Sequence, residues 1–450
     1  MPARVPPNAL LDKWLLRIRL ALASLLVATA AVQPAAAQQV LTLERALEIA
    51  ERDHPALLAA RTQLGVAEAE RKEARAPLWN NPQLSADARR RSLVQPGGGY
   101  ITRSDSGIGI SQTFEIGGQP GARRTATQAA LEATLQTIEQ TRREIRVDVA
   151  KRFIEVLQLR QRLEMEQAGA ELLRQAADTV AKRVRAGEDT RLDGNLALVE
   201  AERAQAQLVQ TRDQLTQSRA TFATALQLAP AALPEVTGSL ATNLPAYRLD
   251  ELLLAAAAHP RLQAAKARVR SAGGRLELER ASRSPDVTVG VTHSPERGID
   301  GTDRITALSV SVPLPLFRNN DAAIARANAE LEQSRIELQV AQRDSEASVR
   351  VLWQRLEQLR DRARRLEAVA LPALQENQRL SLAALRAGEI NVTQFLLARR
   401  QTLDAQLELA AAQGQATLTQ LELEAAAGWD TPAAVVGRQA PTDPPTKDAR

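Results

Sequence analysis

The chain has 450 residues, a formal net charge of +5, no cysteine and an aromatic content of 2%. The absence of cysteine excludes disulfide bonds and a lipid attached to an N-terminal cysteine. So few aromatic side chains disfavour a thick globular core, whereas abundant Ala, Leu, Gln, Arg and Glu are typical of long helices packed along narrow seams. Charges of both signs alternate without a basic cluster interleaved with aromatics, which disfavours nucleic acid as a partner.

Residues 1–37 have the organisation of a secretory signal peptide. Basic residues precede an apolar stretch over residues 20–32, and Ala35 and Ala37 place small side chains at the cleavage positions. The apolar stretch is shorter than the about 20 residues that a membrane-spanning helix requires. We therefore expect export from the cytoplasm, cleavage before Gln38 and no transmembrane helix in the mature chain.

The next elements are a helix and a β-hairpin. Residues 56–76 form an amphipathic helix that begins after Pro55 and ends at Pro77. A hairpin over about residues 82–117 follows, in which apolar residues alternate with Gly, Ser and Thr. This alternation is typical of a membrane β-barrel, and equally of an antiparallel sheet lying on helices. The signal peptide and the lack of a spanning helix favour the barrel.

A very long helix over residues 122–186 comes next. Its apolar residues recur with a seven-residue period from Leu131 onwards, which predicts a coiled-coil seam. At 1.5 Å per residue the helix is about 100 Å long. A turn over residues 185–191 leads to a shorter return helix over 192–228. We expect this return helix and the helix over 56–76 to stack into one composite column, antiparallel to the long helix.

The second half of the chain repeats the plan of the first. V-R-A-G-E from Val184 recurs as L-R-A-G-E from Leu385, and H-P-A-L-L-A-A from His54 recurs as H-P-R-L-Q-A-A from His259. The units so defined are a first repeat over 38–228, an equatorial linker over 229–248, a second repeat over 249–429 and a disordered tail over 430–450. The linker, rich in proline, is expected to be unstructured or to lie on the surface.

The second repeat contains the same elements as the first. These are a helix over 261–283, a hairpin over about 285–317, a long helix over 321–386, a tip over 386–391 and a return helix over 392–427. Pro372 has no counterpart in the first long helix, and it predicts a kink at this position.

Four strands in one chain cannot close a barrel, because the smallest membrane barrels have about eight. The barrel hypothesis therefore requires an oligomer, and three chains supply 12 strands. The fold class that we predict is mostly α within α+β: a trimeric channel-tunnel with a 12-stranded transmembrane β-barrel and a long periplasmic α-helical coiled-coil barrel.

These features resemble the outer-membrane efflux protein family, the TolC-like channels, over about residues 41–429. The duplicated tip motif carries the resemblance, since V-R-A-G is followed by Asp193 in the first half and L-R-A-G by Gln394 in the second. Two other stretches, Q-T-F-E-I-G-G from Gln112 and V-P-L-P-L-F-R-N-N from Val312, are similar to the heavy-metal branch, the outer-membrane parts of cobalt-zinc-cadmium RND exporters.

The resemblance implies a homotrimeric conduit in the outer membrane of a Gram-negative bacterium, with a large periplasmic portion and contacts to outer-membrane lipid. Its expected partners are a periplasmic membrane-fusion adaptor and an inner-membrane RND transporter, and neither a cofactor nor catalysis is implied. The residues implied in adaptor docking at the tips are Arg185, Ala186, Gly187, Glu188, Arg386, Ala387, Gly388 and Glu389. The implied channel constriction comprises Asp193, Gln394 and Leu397, of which only Asp193 is acidic.

The residues leave the substrate and one rival class open. His54 and His259 each precede a proline at a helix start and are expected to cap helices. With no cysteine, a soft-metal site lacks its preferred ligands, so no bound metal is expected. The channel hypothesis allows heavy-metal cations, drugs or a protein of a type I secretion system as cargo. A periplasmic coiled-coil scaffold without a pore is the rival from another class.

Overall fold

The computed structural model describes residues 40–95, 97–229, 232–240, 245–297, 301–429 and 436–437. The signal peptide expected over residues 1–37, with Ala35 and Ala37, lies outside the described residues, as does nearly all of the tail expected over 430–450. None of the described helices combines the length and the hydropathy that crossing a bilayer requires.

Helices make up most of the structure. They are α1 (Leu43–Asp53), α2 (Pro55–Ala74), α3 (Gln119–Ala186), α4 (Arg191–Ala225), α5 (Leu249–Ala256), α6 (Pro260–Ala281), α7 (Asp321–Arg365), α8 (Leu371–Ala387) and α9 (Val392–Ala426). The strands are β1 (Val40–Leu41), β2 (Gln83–Val94), β3 (Tyr100–Phe114), β4 (Glu235–Val236), β5 (Ser239–Leu240), β6 (Val287–Arg297), β7 (Thr302–Ser311) and β8 (Val436–Gly437).

The long helices pack side by side as four columns. Helix α3 packs against α2 and α4, and also against α6 and α9. Helices α6 and α9 in turn pack against α7, and α9 also packs against α8. With 20 and 35 residues, α2 and α4 approach the length of the 68-residue α3, as the expected composite column requires. The second composite column, made of α6 and α9, lies between α3 and the column formed by α7 and α8.

The seven-residue period places the seam of α3 where the neighbouring columns meet. Leu131, Ile145, Val149, Val156 and Val180 are all at most 6% exposed. Most intervening polar positions face outward, where arginine and glutamate side chains three or four residues apart form ion pairs along the surface of α3. Apolar burial along this seam, rather than these exposed ion pairs, holds the columns together.

The column of α7 and α8 is interrupted by a π-helical turn over Leu366–Ala370. The backbone N–H of Leu371 donates to the carbonyl of Leu366, five residues back instead of four. Pro372 follows at once, and because it has no N–H it cannot continue the α-helical ladder. The second long helix is therefore interrupted by a wider turn immediately before Pro372, and the kink expected at Pro372 stays a prediction.

The four longer strands form one antiparallel sheet in the order β2-β3-β6-β7. A continuous row of apolar side chains crosses all four strands on one face: Leu84 pairs with Ile110, Ile110 with Val291, and Val291 with Leu308. The adjacent row on the opposite face contains Ser85, Gly109, Thr292 and Ala307. The predicted division into an apolar face and a small or polar face is therefore present.

The strand boundaries differ from those expected. In the sequence, apolar residues alternate with small or polar ones from Gly107 to Gly117, but β3 begins earlier, at Tyr100, and is 15 residues long. Strand β7 ends at Ser311, so the segment from Val312 to Leu316 is not part of the sheet. The alternation in that segment was misleading because Pro313 and Pro315 lack the N–H groups that a strand ladder needs.

A charged contact joins the sheet to the helices. Glu115, directly after β3, pairs with Arg123 in the second turn of α3, with a distance of 2.9 Å between Arg123 Nη1 and Glu115 Oε2. Both side chains are at most 13% exposed. The Arg123 guanidinium also lies 3.7 Å from the centre of the Trp79 ring. This arrangement fixes the end of the sheet over the start of the longest helix.

The largest buried cluster lies near the middle of α3, where it meets α1, the end of α4 and the linker. Phe153 and Phe222 are fully buried and pack edge to face, with ring centres 5.9 Å apart. Helix α1 was not predicted, although its buried Leu43, Ala46, Leu47 and Ala50 follow the helical period.

The linker is only partly as expected. Strand β4 pairs in parallel with β1, and Val236 is 1% exposed in the same cluster. Near the linker's other end, the Trp353 indole donates to the carbonyl of Tyr247 over 3.0 Å. The expectation of an unstructured or surface-laid linker is therefore wrong at Val236, because apolar burial and strand pairing hold this segment against the helices.

Candidate functional site: the paired helix tips

The helix tips at the two R-A-G-E motifs have the same backbone geometry. Gly187 has φ of 80°, and the N–H groups of Gly187 and Glu188 donate to the carbonyls of Val184 and Arg183 at 3.1 and 2.9 Å. This is a Schellman cap, in which a left-handed residue ends the helix and satisfies its last carbonyls.

The second tip repeats this arrangement in detail. Gly388 has φ of 77°, and the N–H groups of Gly388 and Glu389 donate to the carbonyls of Leu385 and Ala384 at 3.2 and 2.9 Å. A Cβ added at either glycine would meet nothing within 4 Å. Glycine is therefore required here by its backbone conformation and not by lack of space, as expected for helix caps.

The side chains implied in docking surround these two turns. Arg185, Ala186, Glu188, Ala387 and Glu389 are exposed. The remaining member of the set outside the glycines, Arg386, is in the last turn of α8. At each tip an exposed glycine turn is thus followed by an exposed glutamate. The role of these side chains in docking stays a prediction.

Asp193 and Gln394, two of the three implied constriction residues, hold equivalent structural positions. The Asp193 carboxylate accepts from the N–H and hydroxyl of Thr190 at 3.3 and 2.6 Å, while the Asp193 N–H donates to the Thr190 hydroxyl. Gln394 and Asn391 make the same reciprocal pair at 3.3 and 2.9 Å. Each pair is a capping box that starts a return helix.

The constriction residues therefore already have a local role in each return helix. Within the part of the chain that the structure describes, Asp193 and Gln394 bond inside their own tips and not to each other. Leu397 is 58% exposed on α9, one turn beyond Gln394. Gln394 and Leu397 thus share one helix, whereas Asp193 starts the return helix of the other repeat.

Arg183 connects the two tips, and sequence reasoning missed it. Its Nη1 donates to the carbonyl of Leu385 over 3.2 Å, and its Nε lies 3.0 Å from the Asp189 carboxylate. A signal existed in the sequence, because the corresponding positions of the second repeat carry Ala384 and Ile390. The first tip is therefore charged where the second is apolar.

A small apolar cluster lies directly behind this connection. Its buried members come from α3, α4 and α9 and are Val180, Ala197, Val392, Phe395 and Leu396. Since both halves of the chain contribute to this cluster, the two tips of one chain are packed as a unit.

The histidines have the capping role that was predicted. His54 Nδ1 accepts from the N–H of Ala56 at 3.3 Å, and His259 Nδ1 accepts from the N–H of Arg261 at 3.0 Å. His259 Nε2 also lies 3.1 Å from the carbonyl of Ala425, and burial lowers the pKa of this imidazole. Over the described ranges, no three His, Asp or Glu side chains converge as metal ligands would.

Comparison with known proteins places these features in a family. The model of the family described as "Outer membrane efflux protein" matches residues 46–227 and 252–429. The cobalt-zinc-cadmium resistance protein CzcC of Cupriavidus metallidurans is 25% identical over 85% of this chain and 89% of its own. The nickel-cobalt-cadmium resistance protein NccC of Alcaligenes xylosoxydans xylosoxydans is 26% identical over 73% and 74%. The pyoverdine export outer membrane protein OpmQ of Pseudomonas putida is 29% identical over 55% of each chain.

Solved structures share the fold. A membrane protein from Pseudomonas aeruginosa superposes with a TM-score of 0.73 at 19% identity, covering 86% of this chain and 90% of that one. CusC, whose crystal structures describe conformational changes during folding and transmembrane channel formation, superposes with a TM-score of 0.71 at 16% identity. The match covers 86% of this chain and 92% of CusC. With four helical columns, an open four-stranded sheet and two matched regions that together cover most of its length, the chain belongs to the outer membrane efflux protein family, whose members are transport channels and not enzymes.

Proposed function

We propose that three copies of this chain form a passive channel-tunnel across the outer membrane and periplasm. One observation carries the proposal: an apolar row crosses all four strands from Leu84 to Leu308, while β2 and β7 have no partner on their outer edges among the described residues. Within a membrane the backbone N–H and C=O groups of a strand edge need partners, so both edges of the sheet must pair with other strands. Three sheets joined edge to edge give a closed barrel of 12 strands with an apolar exterior.

Cysteine cross-linking tests this closure, and because the chain has no cysteine, every disulfide must come from the introduced residues. Ser309→Cys on β7 would be combined with Gln83→Cys, Ser85→Cys or Asp87→Cys on β2, which samples the possible registers between chains. We expect one combination to give dimers and trimers on non-reducing gels after oxidation in outer-membrane fractions.

A matched control uses two strands that are adjacent within one chain. The hydroxyls of Thr113 and Thr288 lie 2.8 Å apart, so the corresponding double cysteine variant should close within the chain and leave it monomeric on the gel. Absence of any inter-chain product from all three combinations would contradict the barrel. Single-channel conductance in planar bilayers then separates a pore from a periplasmic scaffold, which would show none.

We also propose that the tips dock a periplasmic adaptor, which connects the channel to an inner-membrane RND pump. The exposed Arg185 and Glu188 beside a bare glycine turn support this, because they offer charge-assisted contacts to a helical hairpin. Exchanging the charges, as Arg185→Glu with Glu188→Arg, should abolish co-purification of the adaptor. The same exchange at the exposed pair Glu332 and Arg335, far from the tips, is the matched control and should leave it unchanged.

The constriction at the tunnel mouth is proposed to include Asp193, Gln394 and Leu397. Because Asp193 contributes one negative charge per chain and Gln394 none, the two sets of tips differ in their effect on cations. Asp193→Asn should lower the cation preference of the conductance, and Gln394→Glu should raise it. Both changes keep a side-chain oxygen for the capping box, so an unchanged preference in both would place the constriction elsewhere.

The proposed cargo is heavy-metal cations. The names of CzcC and NccC support this, together with the V-P-L-P-L-F stretch from Val312. The name of OpmQ supports the alternative of an exporter for other compounds, and drugs or a secreted protein remain within the same class. A deletion strain should become sensitive to zinc, cobalt or cadmium while keeping its resistance to dyes and detergents. The reverse pattern would favour the alternative.

A further inference from the structure

Arg399 is a buried arginine with an incomplete set of partners. It lies on α9, and the residue is 7% exposed. Its Nη1 donates to Gln378 Oε1 over 2.9 Å, whereas its Nε has no hydrogen-bond partner. Within the described ranges, no carboxylate lies within 4.0 Å of the guanidinium. The next residue, Arg400, is ordinary by comparison, with a side chain 69% exposed and 3.8 Å from Asp404.

A guanidinium in this position keeps its charge, because arginine does not lose its proton in proteins. Desolvation lowers the pKa of Arg399 without any opposing carboxylate. Buried charges persist in folded proteins when an opposite charge or a full set of hydrogen bonds compensates for lost water. Among the described residues Arg399 has neither an opposite charge nor a full set of hydrogen bonds, so it has capacity for an anionic partner.

Arg399 lines a cavity of about 220 Å³ between α3, α8 and α9. Much of the wall is apolar, with Leu382, Leu385 and Phe395 on the side of the second repeat. Arg183 and Asp189 also line the cavity, but they pair with each other at 3.0 Å. The uncompensated charge at the cavity is therefore that of Arg399.

We propose that this cavity binds a small organic carboxylate, with its oxygens on Arg399 and its aliphatic stem against Phe395 and the neighbouring leucines. A bare halide ion would leave most of the space empty, since about 220 Å³ is far more than one monatomic ion fills. A neutral apolar molecule would fill the space but leave the charge unpaired. A carboxylate on a short stem satisfies both the charge and the walls.

The proposed site goes beyond the channel role, because it lies within one chain and requires neither a pore nor an adaptor. It does have a consequence for the tips. The cavity walls come from α3 of the first repeat and from α8 and α9 of the second, so a bound carboxylate holds the two halves together directly above both glycine turns.

Pentanoate is the probe for the site, with pentanamide as its neutral counterpart and chloride as the matched salt. Binding to the full chain, purified in a non-ionic detergent, would be measured by equilibrium dialysis of radiolabelled pentanoate. The variants are Arg399→Met, which keeps the length and burial of the side chain, and Arg400→Met as the adjacent exposed control. Arg399→Lys serves as a second variant, because it keeps the charge but loses the planar fork.

We expect saturable pentanoate binding by the wild-type chain and by Arg400→Met, and at least tenfold weaker binding by Arg399→Met. Arg399→Lys should fall between them, and this variant decides the question if Arg399→Met fails to assemble. Pentanamide and chloride should not compete. The proposal would be overturned if the Arg399 variants bound pentanoate as tightly as the wild-type chain, if chloride alone displaced it, or if binding were not saturable. Each of these outcomes is independent of the conductance of the channel.

Discussion

Replacing Gly187 by alanine should loosen the first tip selectively. Since an added Cβ meets nothing within 4 Å, the cost is that of the left-handed backbone alone, about 1–2 kcal/mol. That cost corresponds to a factor of about 5–30 in the equilibrium between closed and open tip. The amide of Glu188, which donates to the carbonyl of Arg183, should exchange with deuterium faster by this factor, after correction for its intrinsic rate.

The control for this prediction is Gly65→Ala in the interior of α2. Gly65 also has open space around an added Cβ, but its backbone is helical, so alanine should stabilise the helix by about 0.5–1 kcal/mol. Gly388→Ala should act on the second tip as Gly187→Ala does on the first. Unchanged exchange at Glu188, or equal loosening by Gly65→Ala, would refute the assignment of the glycine requirement to backbone conformation.

Three further predictions concern stability. Thr190→Ala and Asn391→Ala should each cost the first turn of their return helix about 1 kcal/mol, read as faster local amide exchange at that tip only. Phe153→Ala should lower the free energy of unfolding by about 3–5 kcal/mol and with it the thermal midpoint, whereas Phe317→Ala, at a residue 95% exposed, should change the midpoint little. Equal shifts of the midpoint would contradict the role of the buried cluster around Phe153. The pKa of His259 is lower in the folded chain than in the unfolded chain, so the unfolded chain binds a proton first as the pH falls. Stability should therefore fall as the pH drops below the usual histidine pKa of about 6.5. This loss should be absent in His259→Asn, which keeps a capping side chain.

The elements with strong periodic signals were predictable from the sequence. The seven-residue period of α3 and the cap signals at Gly187 and His259 depend on local chemistry, which the sequence states directly. The short helix α1 and the pairing of β1 with β4 were missed, because both are stabilised by burial against distant residues such as Phe153. The extent of β3 was also underestimated, since its polar outer half pairs with β2 over the full length of that strand.

The candidate site shows the same limit. The exposed glycine turns were visible in the sequence, but the connection from Arg183 to the Leu385 carbonyl joins residues about two hundred positions apart. Likewise, the sequence indicated that the two tips differ in function, because the first has an acid at Asp193 where the second has an amide at Gln394. Only the structure reveals that both first serve the same capping box, a role for which either side chain suffices.

The π-helical turn at Leu366–Ala370 changes which face the following helix presents to its neighbours. A π turn accommodates one extra residue, which rotates every later side chain by about 100° relative to an uninterrupted α-helix. Above the turn the apolar residues of the seven-residue period are buried, as at Val349 and Leu356, whereas Leu380 below it is 52% exposed. The face that α8 presents near the tip is thus rotated relative to the face that α7 presents near the sheet. The column therefore contacts its neighbours through a different side-chain set near the tip than an unbroken seven-residue period would give.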